Sequence, residues 1–266
     1  MKNIKVLTEA PPLTSSFNAA PNASPFWGES VWKRAADVRS SAVDANGKLW
    51  LAVRKREAQK QPAFCTSSTN KFAAYYPLRT SGRQVAKYDQ KTDKYEHVDT
   101  CFTADHNQIT EDGIMYFGMN NAIGWLDTKA YQKTGNAETS QGWCPAVLDT
   151  TGDGKIGEYT KVREPIDASK DRQVGFNCYS VSVSPKDGAA WCSGIGPNDN
   201  KLVRLERGSN PPMTCKAEVF EAPPTGITPP AHGTGGIHVD RNGVVWQKWR
   251  GSGHLSSFDR SKCKIG

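Results

Sequence analysis

The stretch Asp149-Thr150-Thr151-Gly152-Asp153-Gly154-Lys155-Ile156-Gly157-Glu158 sets oxygen donors at alternate positions. Asp149, Thr151 and Asp153 can converge on one cation, Gly154 allows the sharp turn, and the Lys155 carbonyl follows. This is the opening of an EF-hand-like calcium loop, with two departures. Its third position is Thr, a weaker ligand than Asp or Asn. Its twelfth is Thr160 in place of a bidentate Glu, so Glu158 must supply the closing carboxylate from another point on the loop. Hard cations favour such oxygen sets. A structural calcium is the expectation, and an Asp/Gly-rich turn without metal is the alternative. The second group of chemically able residues is built on imidazole. His106 stands between Asp105 and Asn107, His232 in an Ala-His-Gly-Thr-Gly-Gly run, and His254 at the end of Trp249-Arg250-Gly251-Ser252-Gly253-His254. Imidazole exchanges protons near neutral pH, and Arg250 can clamp a carboxylate or phosphate through two hydrogen bonds. A G-x-S-x-G elbow, an H-E-x-x-H helix and a Gly-rich phosphate loop are absent from the sequence, which argues against serine hydrolase, zincin and nucleotide-binding chemistry.

Residues so far apart act together only if the fold gathers them, and the repeats say how. Four times an apolar strand runs into an Asn-Gly or Asp-Gly turn and a second strand with an aromatic three residues past the glycine. The glycines are Gly47, Gly113, Gly188 and Gly243, and the aromatics are Trp50, Tyr116, Trp191 and Trp246. Such dipeptides supply the positive φ that tight hairpins need. A third strand ending on an acid follows each copy, at Asp89, Asp127, Glu206 and Asp259, and a fourth is visible after the first and third copies. Four antiparallel strands repeated along a chain make the blades of a β-propeller. The expected fold is therefore all-β: a propeller with about four recognisable four-stranded blades and long loop insertions, residues 1–266 forming one domain. Residues 1–40 read as an irregular segment in which Lys5-Val6-Leu7 is the outer strand of a missing blade. Uneven spacing places insertions chiefly at 54–84 and 128–177, the second holding the calcium loop. The last copy stops after its third strand, which suggests a fragment of a longer chain.

Composition agrees. Gly (24) and Pro (16) are plentiful, as short strands and many turns require. No apolar run approaches the ~20 residues of a membrane span. The net charge is +7 (34 − 27), but the basic residues are scattered, so the charge reads as a solvated surface and not as a nucleic-acid footprint. Seven cysteines without a C-x-x-C pair point to disulfides in an oxidising compartment, periplasmic or extracellular, with Cys263 left over. Met1-Lys2-Asn3-Ile4-Lys5-Val6-Leu7 has no hydrophobic core of a signal peptide.

In a propeller the turns after the first strands share one face. The connections into first strands, and those between second and third strands, share the other. That topology gathers His106, His232 and His254 with Arg250 and Trp249 on one rim, where loop-borne sites collect. His106, His254 and Arg250 are the candidate catalytic groups, and Trp249, His232 and Asn107 the candidate ligand contacts. His238 is expected between blades and His97 at the surface.

The copies resemble streptogramin-lyase-like and NHL-type propellers, whose blades read apolar strand, D-x-x-G, then V-W-F. Here those residues are Val43-Asp44, Gly47 and Leu49-Trp50, and Val239-Asp240, Gly243 and Val244-Val245-Trp246. A nearer resemblance, over almost the whole chain, is to bacterial exported proteins in which a carboxypeptidase-regulatory-like domain is fused to such a propeller. Its marks here are Gln61-Pro62-Ala63-Phe64-Cys65, Asp99-Thr100-Cys101-Phe102, Ser140-Gln141-Gly142-Trp143, the 149–155 loop and Gly208-Ser209-Asn210-Pro211-Pro212. This second resemblance implies export and no settled activity. Two functions follow as expectations: a propeller that binds a small molecule, peptide or glycan on its loop face, or a lyase or lactonase in which a histidine acts as acid/base beside a divalent cation.

Overall fold

The computed structural model describes residues 38–54, 56–196, 199–222, 226 and 228–263. Lys5-Val6-Leu7, read as an outer strand, lies outside them. The chain is all-β and builds blades. Blade one is β1 (Ser40–Val43), β2 (Leu49–Val53), β3 (Gln84–Asp89) and β4 (Lys94–Val98), with α1 (Lys71–Tyr75) in the insertion between β2 and β3. Blade two is β5 (Asn107–Ile109), β6 (Ile114–Met119), β7 (Ala122–Asp127) and β8 (Gln141–Pro145), with α2 (Thr128–Thr134) between its last two strands. A small separate sheet follows: β9 (Val147–Leu148), β10 (Tyr159–Thr160) and β11 (Asp171–Gln173), the last two parallel. Blade three is β12 (Ser180–Val183), β13 (Ala190–Ser193), β14 (Lys201–Glu206) and β15 (Lys216–Glu221). Blade four has three strands among the described residues: β16 (Thr234–Val239), β17 (Val245–Trp249) and β18 (His254–Phe258).

The first strands lie side by side in chain order, β1 against β5, β5 against β12 and β12 against β16. That makes them the inner strands of a radial array. Polar side chains of these strands and of β13 join neighbouring blades. Gln108 Oε1 accepts the Val183 N–H at 2.7 Å, Ser182 Oγ accepts the Val239 N–H at 2.9 Å, and the Ser193 hydroxyl donates to the Gly235 carbonyl at 2.6 Å. Apolar faces of successive sheets pack into one core that runs through blades one to three, with a second cluster at the junction of blades three and four.

The recurring turn has a local cause. The Asp44 carboxylate accepts the N–H groups of Asn46 and Lys48 and the Trp50 indole N–H, at 2.9, 3.0 and 3.0 Å. Asp240 repeats all three contacts with Asn242, Val244 and Trp246 at 2.8, 3.0 and 3.1 Å. One carboxylate thus closes the turn and aims the aromatic, while Gly47 and Gly243 take φ of 75° and 80°. Blade three inserts one more residue, so its glycine N–H reaches back to Ser184.

The region from 128 to 177 holds more than a loop. It contains β8, so a fourth strand completes blade two as well as blades one and three. Three disulfides form, Cys65–Cys101, Cys144–Cys215 and Cys178–Cys192, and Cys263 is free and exposed. They point to an oxidising compartment. No helix among the described residues is long and apolar enough to cross a membrane.

Candidate functional site

The residues just before the first three inner strands meet at one mouth of the array. Arg39 precedes β1, His106 precedes β5 and Tyr179 precedes β12. The His106 ring meets Tyr179 edge to face, 4.3 Å between centroids, and the Arg39 guanidinium lies 5.7 Å from the centre of the same ring. Arg39 Nε donates to Asp105 at 2.9 Å, and the Ser40 hydroxyl donates to the Asp105 carbonyl and accepts from Asn107 Nδ2. His106 Nε2 and Asn107 Oδ1 are buried atoms with no hydrogen-bond partner among the described residues. Burial pushes the His106 pKa below that of an ordinary imidazole. Arg39 adds to this and Asp105 opposes it. The result is a neutral imidazole at neutral pH beside an ion pair and an aromatic ring.

The other predicted residues gather at the entry to blade four. The Ser252 Oγ accepts the His232 backbone N–H at 3.2 Å and lies 3.0 Å from His254 Nδ1. His232 Nδ1 faces the Pro230 carbonyl at 3.0 Å. Gly251 sits so close to the His232 ring that a Cβ there would meet it at 2.6 Å. Arg250, Gly251, Gly196, Gly233 and Thr234 line a recess of about 290 Å³, to which neither His106 nor His254 contributes. Trp249 is buried within its blade, its indole N–H on Ser256 at 2.7 Å. Asp199 reaches the same blade-four entry; its carboxyl accepts backbone N–H groups of Lys201 and Asn177, and its burial raises its pKa. Its carbonyl accepts both the N–H and the hydroxyl of Thr234. The structure therefore brings His106 and Asn107 together with Arg39, Asp105 and Tyr179, links His232 and His254 through Ser252, and leaves Arg250 lining the recess of Gly196, Gly233, Thr234 and Gly251. His97, expected at the surface, is 4% exposed, and His238, expected between blades, is exposed on the outer side of blade four.

The 149–158 loop folds on its own carboxylates. Asp149 accepts the Gly152 and Gly154 N–H groups at 2.8 and 2.9 Å and faces Lys216 Nζ at 3.6 Å. Asp153 accepts the Lys155 N–H. Glu158 points outward to Lys170 at 3.1 Å. The acid that reaches the loop is Asp171, 2% exposed, which accepts from the Thr151 hydroxyl and the Gly157 N–H. Among the described residues no three His, Cys, Asp or Glu side chains gather in a ready cation site.

Sequence reasoning missed a cleft of about 630 Å³ on the turn face between blades two and three. Glu111, Asp112, Asp187 and Glu206 rim it with Arg207, whose guanidinium lies 5.3 Å from both the Tyr116 and Trp125 rings. The rim is spread over turns and strand ends of two blades, so no local motif marks it. The one available sign in the sequence is an arginine directly after a third strand.

No family model matches the chain, and no curated protein matches it. Similar solved structures include a streptogramin B lyase, 11% identical over 84% of this chain and 54% of that one, with a TM-score of 0.44. Others are the Cps50 (Swd1) β-propeller domain of Myceliophteria thermophila, 10% identical over 83% and 53% at 0.45, and a catalytically inactive virginiamycin B lyase from Staphylococcus aureus with quinupristin, 12% identical over 86% and 57% at 0.44. The chain spans about half the length of these structures.

Proposed function

We propose that this chain is a ligand-binding β-propeller region of an exported protein, periplasmic or extracellular, that takes a small molecule, peptide or glycan at the mouth between its inner strands. The observation that carries this reading is the meeting of Arg39, Asp105, His106 and Tyr179, brought from three separate blades. An ion pair, a neutral imidazole with an unpartnered nitrogen and an aromatic ring give one ligand several kinds of contact. At the entry to blade four, Arg250 lines a separate recess that suits an acidic group. The three disulfides support export, as does the resemblance to exported proteins with a carboxypeptidase-regulatory-like domain.

Melting curves with three probe classes, acidic dipeptides, uronic-acid oligosaccharides and small hydroxycarboxylates, test the reading. At least one class raises the melting temperature, and Arg39→Ala and His106→Ala each abolish the rise. No rise with any class, or a rise that both variants keep, rejects the mouth as the site.

A second reading, lyase or lactonase chemistry, draws on one feature: a neutral His106 with Nε2 free is the state a general base requires. Structural calcium in the 149–158 loop is a separate proposal. Asp149, Thr151, Asp153 and the Lys155 carbonyl would be the donors, with Asp171 in the place first given to Glu158.

A further inference from the structure

The cleft of about 630 Å³ between blades two and three lies where the blade pattern breaks. In blades one and four the carboxylate three residues before the turn glycine, Asp44 or Asp240, accepts the indole N–H of the aromatic three residues after it. Blade two has Thr110 at the carboxylate position, and its hydroxyl turns to Asp112 and to the Ile114 carbonyl. The aromatic there is Tyr116. It is 3% exposed and lines the cleft, and its hydroxyl has no hydrogen-bond partner among the described residues.

The cation of the cleft lacks a partner for a related reason. The residue after the acid that ends the third strand is Arg260 in blade four and Arg207 in blade three. Arg260 reaches back to blade three and clamps the Glu218 carboxylate through two hydrogen bonds, at 2.7 and 2.6 Å. Arg207 reaches back to blade two, where its guanidinium lies 5.3 Å from the Tyr116 and Trp125 rings. Strand pairing explains the difference. Glu218 stands opposite Arg204, which stands opposite Trp191; the same positions in blade two are Gly142, Trp125 and Tyr116. A glycine occupies the place of the glutamate, and among the described residues the Arg207 guanidinium has no carboxylate partner. On the rim, Asp187 and Glu206 are held by Arg204, whereas the exposed Glu111 and Asp112 carboxylates form no ion pair among the described residues. Ile109, Val183 and Val239 give the cleft an apolar wall.

We propose that this cleft binds a zwitterion of the amino-acid or short-peptide class, its carboxylate taken by Arg207 and the Tyr116 hydroxyl and its ammonium by Glu111 and Asp112. The ligand carboxylate fills the role for Arg207 that Glu218 fills for Arg260. A guanidinium resting on two rings is already oriented, so little freedom is lost when it takes a carboxylate. A ligand with acids alone is repelled by the rim carboxylates, and a ligand with amines alone meets the Arg207 charge. An apolar side chain of the ligand packs on the wall. The volume falls within the range of roughly 300–1,000 Å³ of small-molecule sites. The cleft is on the turn face, away from the His106 mouth, and does not depend on the ligand reading of that mouth.

Titration calorimetry of the full chain at low ionic strength, with the dipeptide Leu-Ala and its N-acetyl and C-amide forms as probes, decides it. Leu-Ala binds, and the C-amide binds about tenfold more weakly, as loss of a charge-assisted pair requires. The N-acetyl form is weakened as well. Tyr116→Phe keeps the ring and the melting temperature but weakens Leu-Ala binding about fivefold, the worth of one hydrogen bond. Arg207→Gln removes binding, and Arg39→Ala at the mouth leaves it unchanged. No binding of Leu-Ala overturns the proposal, as does binding that Tyr116→Phe and Arg207→Gln both retain. Equal affinity for the C-amide overturns the carboxylate anchor, and equal affinity for the N-acetyl form overturns the zwitterion class. Loss of binding in Arg39→Ala puts the dipeptide at the mouth and overturns the cleft as its site.

Discussion

Asp44 and Asp240 show how much one carboxylate decides. Each accepts two turn N–H groups and the indole of the following strand, so the spacing Asp, Gly, Trp is the trace of one hydrogen-bonded unit. This is why the register was legible in the sequence. Burial alone would raise the Asp44 pKa, but the Trp50 indole, the Lys48 and Asn46 N–H groups and Gln132 outweigh it and hold the pKa below the ordinary range. A depressed carboxylate pKa stabilises the fold fully above the unfolded value, and that contribution is lost as pH falls through the folded value. Asp44→Ala should therefore cost about 1–3 kcal/mol at neutral pH, and the cost should shrink on acidification; denaturant melts at several pH values measure both. A cost that stays constant down to strongly acidic pH would contradict the assignment. At His106 the sign concerns a base. Its depressed pKa means the folded state resists protonation, so stability present above the unfolded value of ~6.5 falls as pH drops toward the folded one. Nitrogen chemical shifts should show His106 neutral below that value, and titration at or above it would remove the neutral base from the mouth. His97 and His238 were misread because a strand's sequence does not say which face is covered. His97 lies on a face closed by burial, and His238 shares the open face of Trp246.

Strands were legible where turns are short. A brief Gln90-Lys91-Thr92-Asp93 link joins β3 to β4, and Asn-Gly or Asp-Gly marks each first hairpin, so both were visible. The strand β8 was hidden because α2 intervenes between it and β7, and because Gln141-Gly142-Trp143-Cys144-Pro145 lacks alternation: all five residues are buried. Its glycine is required by contact, since a Cβ at Gly142 would meet the Trp125 ring at 2.4 Å. The 149–158 loop shows the opposite limit. Its donor spacing was plain in the sequence, but Asp171 enters from β11, after a long excursion, and nothing local announces it. If this loop takes calcium, adding the ion raises the melting temperature, and Asp149→Ala and Asp171→Asn each remove the rise. A rise that survives both changes places the ion elsewhere.

At the scale of the whole molecule, the blades are held at two radii. Near the axis, Gln108, Ser182 and Ser193 link one inner strand or its neighbour to the next blade. At the periphery, Cys144 on β8 is joined to Cys215, just before β15, so the outer strands of blades two and three are covalently tied. The sequence showed that cysteines would pair and that Cys263 would remain, but not which pairs form, because pairing depends on the rotation between blades. The closed segments differ: 71 residues separate Cys144 from Cys215, and 14 separate Cys178 from Cys192. Loop-closure entropy then ranks them, with a loss of roughly 4 kcal/mol for the first and roughly 3 kcal/mol for the second. Calorimetry of Cys144→Ala/Cys215→Ala and of Cys178→Ala/Cys192→Ala should show the larger drop in melting temperature for the first pair. The reverse order would mean that the entry to blade three, and not the tie between blades two and three, limits stability.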